Sequence, residues 1–137
     1  MMVSTKGRYA LRIMLDLAQQ EPGQYCSLSN VSCRQGMSVK YMEAIVAGLN
    51  RAGLLESQRG KDGGYRLRYP PSAYTVGAIL KLAEGSLAPV ACLECGESGC
   101  ERADQCMTLP MWQRLDEIID NYLEKITLQD LLDGEHL

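Results

Sequence analysis

The chain has 137 residues, 46% of them hydrophobic and 23% charged, with a formal net charge of −3. That balance suits one globular domain with a core and an appended arm, and it excludes a disordered or low-complexity chain. No run approaches the roughly 18 uninterrupted apolar residues of a membrane span, and the charge is divided unevenly: residues 1–70 hold ten Lys/Arg and five Asp/Glu, residues 71–137 four and twelve.

Ser4 or Thr5 caps a helix predicted to reach about Gln20, with Leu11, Met14, Leu15 and Ala18 on one face; Glu21-Pro22-Gly23 stops it. Arg12 and Asp16 interrupt its apolar run at helical spacing, which predicts an amphipathic helix and not a signal peptide, hence a cytoplasmic chain. Ser27 caps a short second helix through Arg34, and Gly36 fits the position after its end. Ser38 caps a third over about residues 39–52, with an apolar stripe of Met42, Ile45, Val46 and Leu49. Two helices joined by a short Gly-containing turn form a helix-turn-helix pattern. LLESQRG and GYRLRY then read as two strands, with Lys61-Asp62-Gly63 at the tip between them. Arg59, Lys61, Arg66 and Arg68 decorate this hairpin, which makes it a basic wing, and Pro70-Pro71 ends it.

Thr75 caps a helix over about Val76 to Ala83. After Pro110 comes a long helix to about Lys125, whose Trp112, Leu115, Ile119, Tyr122 and Ile126 are spaced 3-4-3-4 as in a coiled-coil seam. Met111, Ile118 and Leu123 form a second apolar flank. A helix apolar on two sides faces its own domain and a partner, which predicts a homodimer. Thr127 caps a last short helix, with Asp130 placed for a capping box. The expected fold is mainly α with a small β-hairpin: a winged helix-turn-helix DNA-binding domain over residues 1–83, then a cysteine loop and dimerisation helix over residues 84–137. A basic front half beside an acidic back half points to a polyanion-binding surface, against the plainer reading of unevenly solvated faces.

Four of the six cysteines, Cys92, Cys95, Cys100 and Cys106, fall within fifteen residues. In a reducing compartment, crowded thiols point to metal or redox chemistry, and soft thiolates select iron–sulfur clusters, zinc or copper(I). A two-iron cluster, a four-iron cluster and tetrahedral zinc are all open to four thiolates. The spacing fits a zinc knuckle poorly, because its second pair is too wide. A metal-free thiol sensor and inert cysteines are the other readings. Cys26 and Cys33, near or on the second helix, read as small, partly buried side chains. The one histidine, His136, sits near the C-terminus and offers no catalytic constellation, so the chain does not read as an enzyme.

The succession STKGRYALRIMLDLA, RQGMSVKYMEAIVAGLNRAGL, RGKDGGYRL, TVGAILKLAEG, a cysteine loop ending CMTLPMW, and ITLQDLL covers nearly the whole chain. It resembles the Rrf-two family of bacterial transcription regulators, whose members include IscR, NsrR and CymR. The resemblance implies a winged helix-turn-helix, a homodimer on the long penultimate helix and a dyad-symmetric double-stranded operator. It implies an iron–sulfur cluster on Cys92, Cys100 and Cys106, with Cys95 as the natural fourth ligand and Glu94, Glu97, Glu101 or Asp104 as oxygen donors in its place. Seven residues separate Cys92 from Cys100, a wider gap than IscR-like and NsrR-like members usually have. Leu109 stands where IscR-like members carry a histidine. The alternative is a CymR-type repressor, metal-free, controlled by a partner enzyme or by thiol redox state.

On DNA, the expected readout set is Ser38, Lys40, Tyr41 and Glu43 at the start of the third helix, Glu43 accepting from a cytosine amino group. Thr5, Lys6 and Arg8 are expected on phosphate, helped by the partial positive charge of a helix N-terminus. Arg59, with Gly60 and Lys61, is the expected wing contact to the minor groove or backbone.

Overall fold

A computed structural model describes residues 3–94 and 100–137. In chain order they form α1 (Thr5–Ala18), α2 (Leu28–Gln35), α3 (Val39–Arg51), β1 (Leu55–Gln58), β2 (Gly64–Leu67), α4 (Val76–Glu84), α5 (Leu109–Lys125) and α6 (Leu128–Asp133), with short 3-10 turns between. The boundaries follow local chemistry. Ser27, Ser38, Thr75 and Thr127 each accept a backbone N–H three residues ahead, at 3.0–3.3 Å, and such caps contribute about 1 kcal/mol apiece. Asp130 reciprocates by accepting the Thr127 N–H at 2.9 Å, which completes the capping box. Gly36 closes α2 at φ 65°, a left-handed conformation that suits glycine.

The main core gathers Ala10, Ile13, Met14 and Leu17 of α1 with Val31, the stripe Met42/Ile45/Val46/Leu49 of α3, Ile79 of α4 and Leu128 of α6. Burying a side chain of this size stabilises by about 1.5–3 kcal/mol. Leu128 is fully buried there, so the two parts of the chain share a core. A second cluster joins Val76, Leu80, Leu87 and Ile126. Between them, Val76 donates to the Ile126 carbonyl and Leu128 to the Tyr74 carbonyl, at 2.8 and 3.0 Å. These bonds tie the start of α4 to the α5–α6 junction.

The buried face of α1 differs from the expected stripe. It comprises Gly7, Ala10, Ile13, Met14, Asp16 and Leu17, while Leu11, Leu15 and Ala18 are half-buried. Asp16, read from sequence as a polar interruption, is 2% exposed. Its carboxylate accepts from Arg34 Nε at 3.1 Å, Arg34 Nη2 at 2.7 Å and Gln35 Nε2 at 2.8 Å. That bidentate pair holds the Arg34 guanidinium more strongly protonated and fastens α2 to α1. A buried carboxylate is tolerated because its lone pairs are met.

The wing pairs Leu55 with Leu67 through Gln58 with Gly64 in antiparallel register. It is stitched to the chain before α2 by Cys26 and Tyr65, whose backbones exchange hydrogen bonds of 2.9 and 2.8 Å. Gly64 makes that close approach possible: its φ is 145°, and a Cβ there would run into the Cys26 carbonyl. Gly64→Ala should therefore lower stability by more than about 1 kcal/mol, read as a shift in urea midpoint with unchanged m-value. An unchanged midpoint would mean that the wing does not need this contact.

Candidate nucleic-acid interface and cysteine loop

The third helix turns Met42, Ile45, Val46 and Leu49 inward and leaves Lys40, Tyr41 and Glu43 exposed near its start. Ser38 is exposed, but its hydroxyl oxygen is engaged in capping Tyr41 N–H at 3.3 Å. Tyr41 is 40% exposed and meets Tyr9 of α1 edge-on, ring centroids 5.6 Å apart, which fixes its ring beside α1.

Not every basic residue of the front half is available to a ligand. Arg12 donates to Gln35 and lies over Tyr9; Arg34 is committed to Asp16. Arg66 donates to Glu56 and to the Gly23 carbonyl while covering the Tyr25 ring at 4.3 Å. Arg51 donates to the Ala47 carbonyl. The side chains of Lys6, Lys40, Glu43, Arg59 and Lys61 are exposed and make no hydrogen bond or ion pair among the described residues. Arg59, Gly60 and Lys61 form the exposed hairpin tip, with Gly60 at φ 106°.

The start of α1 is arranged otherwise than expected. Thr5 and Arg8 share a face, Arg8 Nη2 donating to Thr5 Oγ1 at 3.3 Å. Lys6, two residues and about 200° from Arg8 around the helix, lines a groove with Gly48, Arg51 and Leu82. The N–H groups of Ser4 and Gly7, at the helix start expected to receive phosphate, already donate to the Glu84 carboxylate. Backbone donors at Ser4 and Gly7 are thus withdrawn from phosphate, and the side chains remain. Glu84 was missed because it lies 80 residues from Ser4, and no local pattern marks such a partner.

No residue of α5 is buried. Its exposed apolar side chains are Met111 (54%), Leu115 (37%), Ile118 (50%) and Tyr122 (51%), spaced 4-3-4. Of the five seam residues expected at the dimer, Leu115 and Tyr122 lie on this face, and Trp112 and Ile119 are half-buried. Ile126 is only 5% exposed and belongs to the second core cluster. The helix ends at Lys125 and Ile126 is extended, with ψ 125°, so helical periodicity no longer places it.

In the cysteine loop, Cys92 lies in the turn Ala91–Leu93 and is half-buried, and Cys100 is exposed. Cys106 lies just ahead of α5. Its sulfur is 3.3 Å from Thr108 Oγ1. The Thr108 hydroxyl, followed by the N–H groups of Thr108 and Leu109, draws the thiol below its ordinary value, as helix N-termini do for cysteine. Cys95 and Glu97 lie outside the described residues. Glu94, Glu101 and Asp104 are exposed. Among the described residues, no three His, Cys, Asp or Glu groups are gathered as a metal-binding set. The donor chemistry nonetheless suits an iron–sulfur cluster, since the loop supplies several soft sulfurs and one is biased toward thiolate. Alkylation of Cys106 by iodoacetamide should show an inflection below that of an ordinary thiol. Thr108→Val should move it upward, as measured by mass spectrometry across pH. An unmoved inflection would remove Thr108 from the account. Outside the loop, Cys26 is buried as expected, whereas Cys33 is exposed on α2.

A helix-turn-helix followed by a two-stranded wing defines a winged-helix regulator. Residues 3–134 match the Rrf2 family, described as iron-dependent transcriptional regulators, and the chain belongs to that family. It is 36% identical over its full length to the regulator IscR of Yersinia enterocolitica, covering 82% of that protein. Its fold is similar to CymR, the global cysteine regulator of B. subtilis (TM-score 0.80, 36% identity, 98% of each chain). It is similar also to IscR of T. potens (TM-score 0.78, 36% identity, 98% of this chain and 88% of that one). These relatives are transcriptional regulators and not enzymes. No helix among the described residues is long and apolar enough to cross a membrane.

Proposed function

We propose that this regulator binds a dyad-symmetric, double-stranded operator as a homodimer in the cytoplasm, and that an iron–sulfur cluster in the cysteine loop sets its affinity for DNA. The observation that carries the DNA reading is the division of the basic residues: four arginines are engaged within the protein, while Lys6, Lys40, Arg59 and Lys61 project with no partner among the described residues. Glu43, one turn beyond Lys40 on α3, is the base reader, and Thr5 and Arg8 join the phosphate set. The cluster reading draws on the thiol-rich loop, on Cys106 poised at the start of α5, and on the likeness to IscR. When bound, such a cluster would supply redox- and iron-responsive chemistry. Cys92, Cys100 and Cys106 would hold it, with Cys95 as fourth donor.

The test uses duplexes selected from a random pool by the wild-type chain. Arg59→Ala and Lys6→Ala should weaken operator and random DNA alike. Each should reduce the log–log salt slope by about one unit for every phosphate that the replaced cation neutralised. Glu43→Ala should change base preference at one position. Equal losses on operator and random DNA for Glu43→Ala would exclude it from readout.

A second reading is favoured by the absence of a histidine at position 109 and by the equal identity to CymR. Here the loop is metal-free and the signal is a partner enzyme or thiol oxidation. Iron and sulfide analysis of protein purified without oxygen separates the two.

A further inference from the structure

The start of α1 is fastened to the end of α4 through one carboxylate oxygen. Glu84 Oε1 accepts from the Ser4 N–H at 2.9 Å, the Ser4 hydroxyl at 2.6 Å and the Gly7 N–H at 3.2 Å. Ser4 is the α1 N-cap, its Oγ also accepting the Gly7 N–H at 3.4 Å, so a charge from another helix reinforces the cap at the positive end of the helix dipole. The fit leaves no slack. Gly7 is buried, and a Cβ there would run into Glu84 Oε1. Lys6 and Arg8 flank Gly7 and are exposed.

From its N-cap to its last turn, α4 is also held to α5. Glu124 Oε2 accepts from Thr75 Oγ1 at 3.0 Å, and its Oε1 pairs with Lys81 at 2.9 Å, while Lys81 also pairs with Asp120. A Cβ on Gly77 would come within 2.6 Å of Glu124 Oε1. Helix α4 has nine residues, about 13 Å of rise. It is a strut between the long helix and the basic start of α1, and the cysteine loop leaves it directly after Glu84.

We propose that Glu84 is a positioning residue for DNA binding, holding the first turn of α1 so that Lys6 and Arg8 meet the DNA backbone in register with α3. The proposal rests on the DNA-binding reading above. Without the carboxylate, the Ser4 N–H and hydroxyl lose their acceptor, the Gly7 N–H keeps only the longer bond to Ser4 Oγ at 3.4 Å, and the first turn frays. Flexible cations then contribute less to binding, because ordering them costs conformational entropy.

A double-mutant cycle on the full chain tests it, with binding to a selected operator duplex followed by fluorescence anisotropy. Glu84→Ala should weaken the operator complex about tenfold, and Glu84→Gln, which keeps an acceptor oxygen, should restore most of that loss. Lys6→Ala or Arg8→Ala should cost a smaller factor in the Glu84→Ala background than in the wild type. Amide exchange over residues 4–8 should rise in Glu84→Ala while the far-ultraviolet spectrum is kept. If Glu84→Ala does not fold, the same cycle is run with Glu84→Asp, which withdraws the acceptor by one methylene. Identical costs for both cation replacements in the two backgrounds overturn the Glu84 proposal alone. If neither replacement costs anything in the wild-type background, the DNA reading of α1 fails and takes the proposal with it.

Discussion

Replacing Leu115 and Ile118 together by aspartate should convert the protein from dimer to folded monomer. Both side chains are exposed in the single chain, at 37% and 50%, so their replacement removes nothing from either core cluster. This choice separates assembly from folding, which Ile119 and Ile126 would not, since the first is half-buried and the second is in the core. A two-fold interface along α5 brings each carboxylate near its symmetry mate, and desolvating unpaired charges at the centre of an interface is strongly unfavourable. A loss of roughly 4 kcal/mol, about a thousand-fold in dimer Kd, is expected. Sedimentation should show monomer at micromolar concentration with an unchanged circular dichroism spectrum. Operator affinity should fall toward that of an isolated half-site, because two recognition helices about 34 Å apart need the dyad to bind together. A wild-type chain that sediments as a monomer at micromolar concentration would defeat the dimer reading.

Single replacement of Cys92, Cys100 or Cys106 by alanine should each abolish iron retention after oxygen-free reconstitution. A cluster deprived of one of these thiolates is expected to be lost on desalting, and a carboxylate in its place is a harder, poorer ligand. Iron and sulfide content and the visible spectrum are the readouts, with operator affinity compared before and after reconstitution. Full iron in all three variants excludes this ligand set, whereas a wild type that takes up no iron leaves the metal-free, CymR-type reading. Full iron in Cys95→Ala alone moves the fourth ligand to a carboxylate or to another part of the chain.

Most of the fold was legible because its signals are local. A hydroxyl three residues before a backbone N–H caps a helix wherever the chain goes next, so Ser27, Ser38, Thr75 and Thr127 marked four helix starts without tertiary information. The apolar stripe of α3 and the glycine-rich hairpin tip obey the same short-range geometry. The thiol-rich loop was legible from composition alone, and the succession of motifs carried the family.

What the sequence could not decide was which charges are engaged inside the protein. Asp16 and Arg34 lie 18 residues apart and Ser4 and Glu84 lie 80 apart, and no periodicity reports which carboxylate meets which donor. Packing α1 against α2 drew Asp16 inside and took Arg34 away from any ligand. Packing α4 against α1 placed Glu84 on the Ser4 and Gly7 donors, at the helix start beside Thr5, Lys6 and Arg8. Ile126 is in the core and not on the apolar face of α5 for a related reason: helical spacing holds only while the helix continues, and here the chain turns extended to pair beside Val76. Local hydrogen bonding determined the elements, whereas desolvation, which requires each buried charge and donor to find a partner, decided which charged residues were engaged inside the protein and which were left exposed.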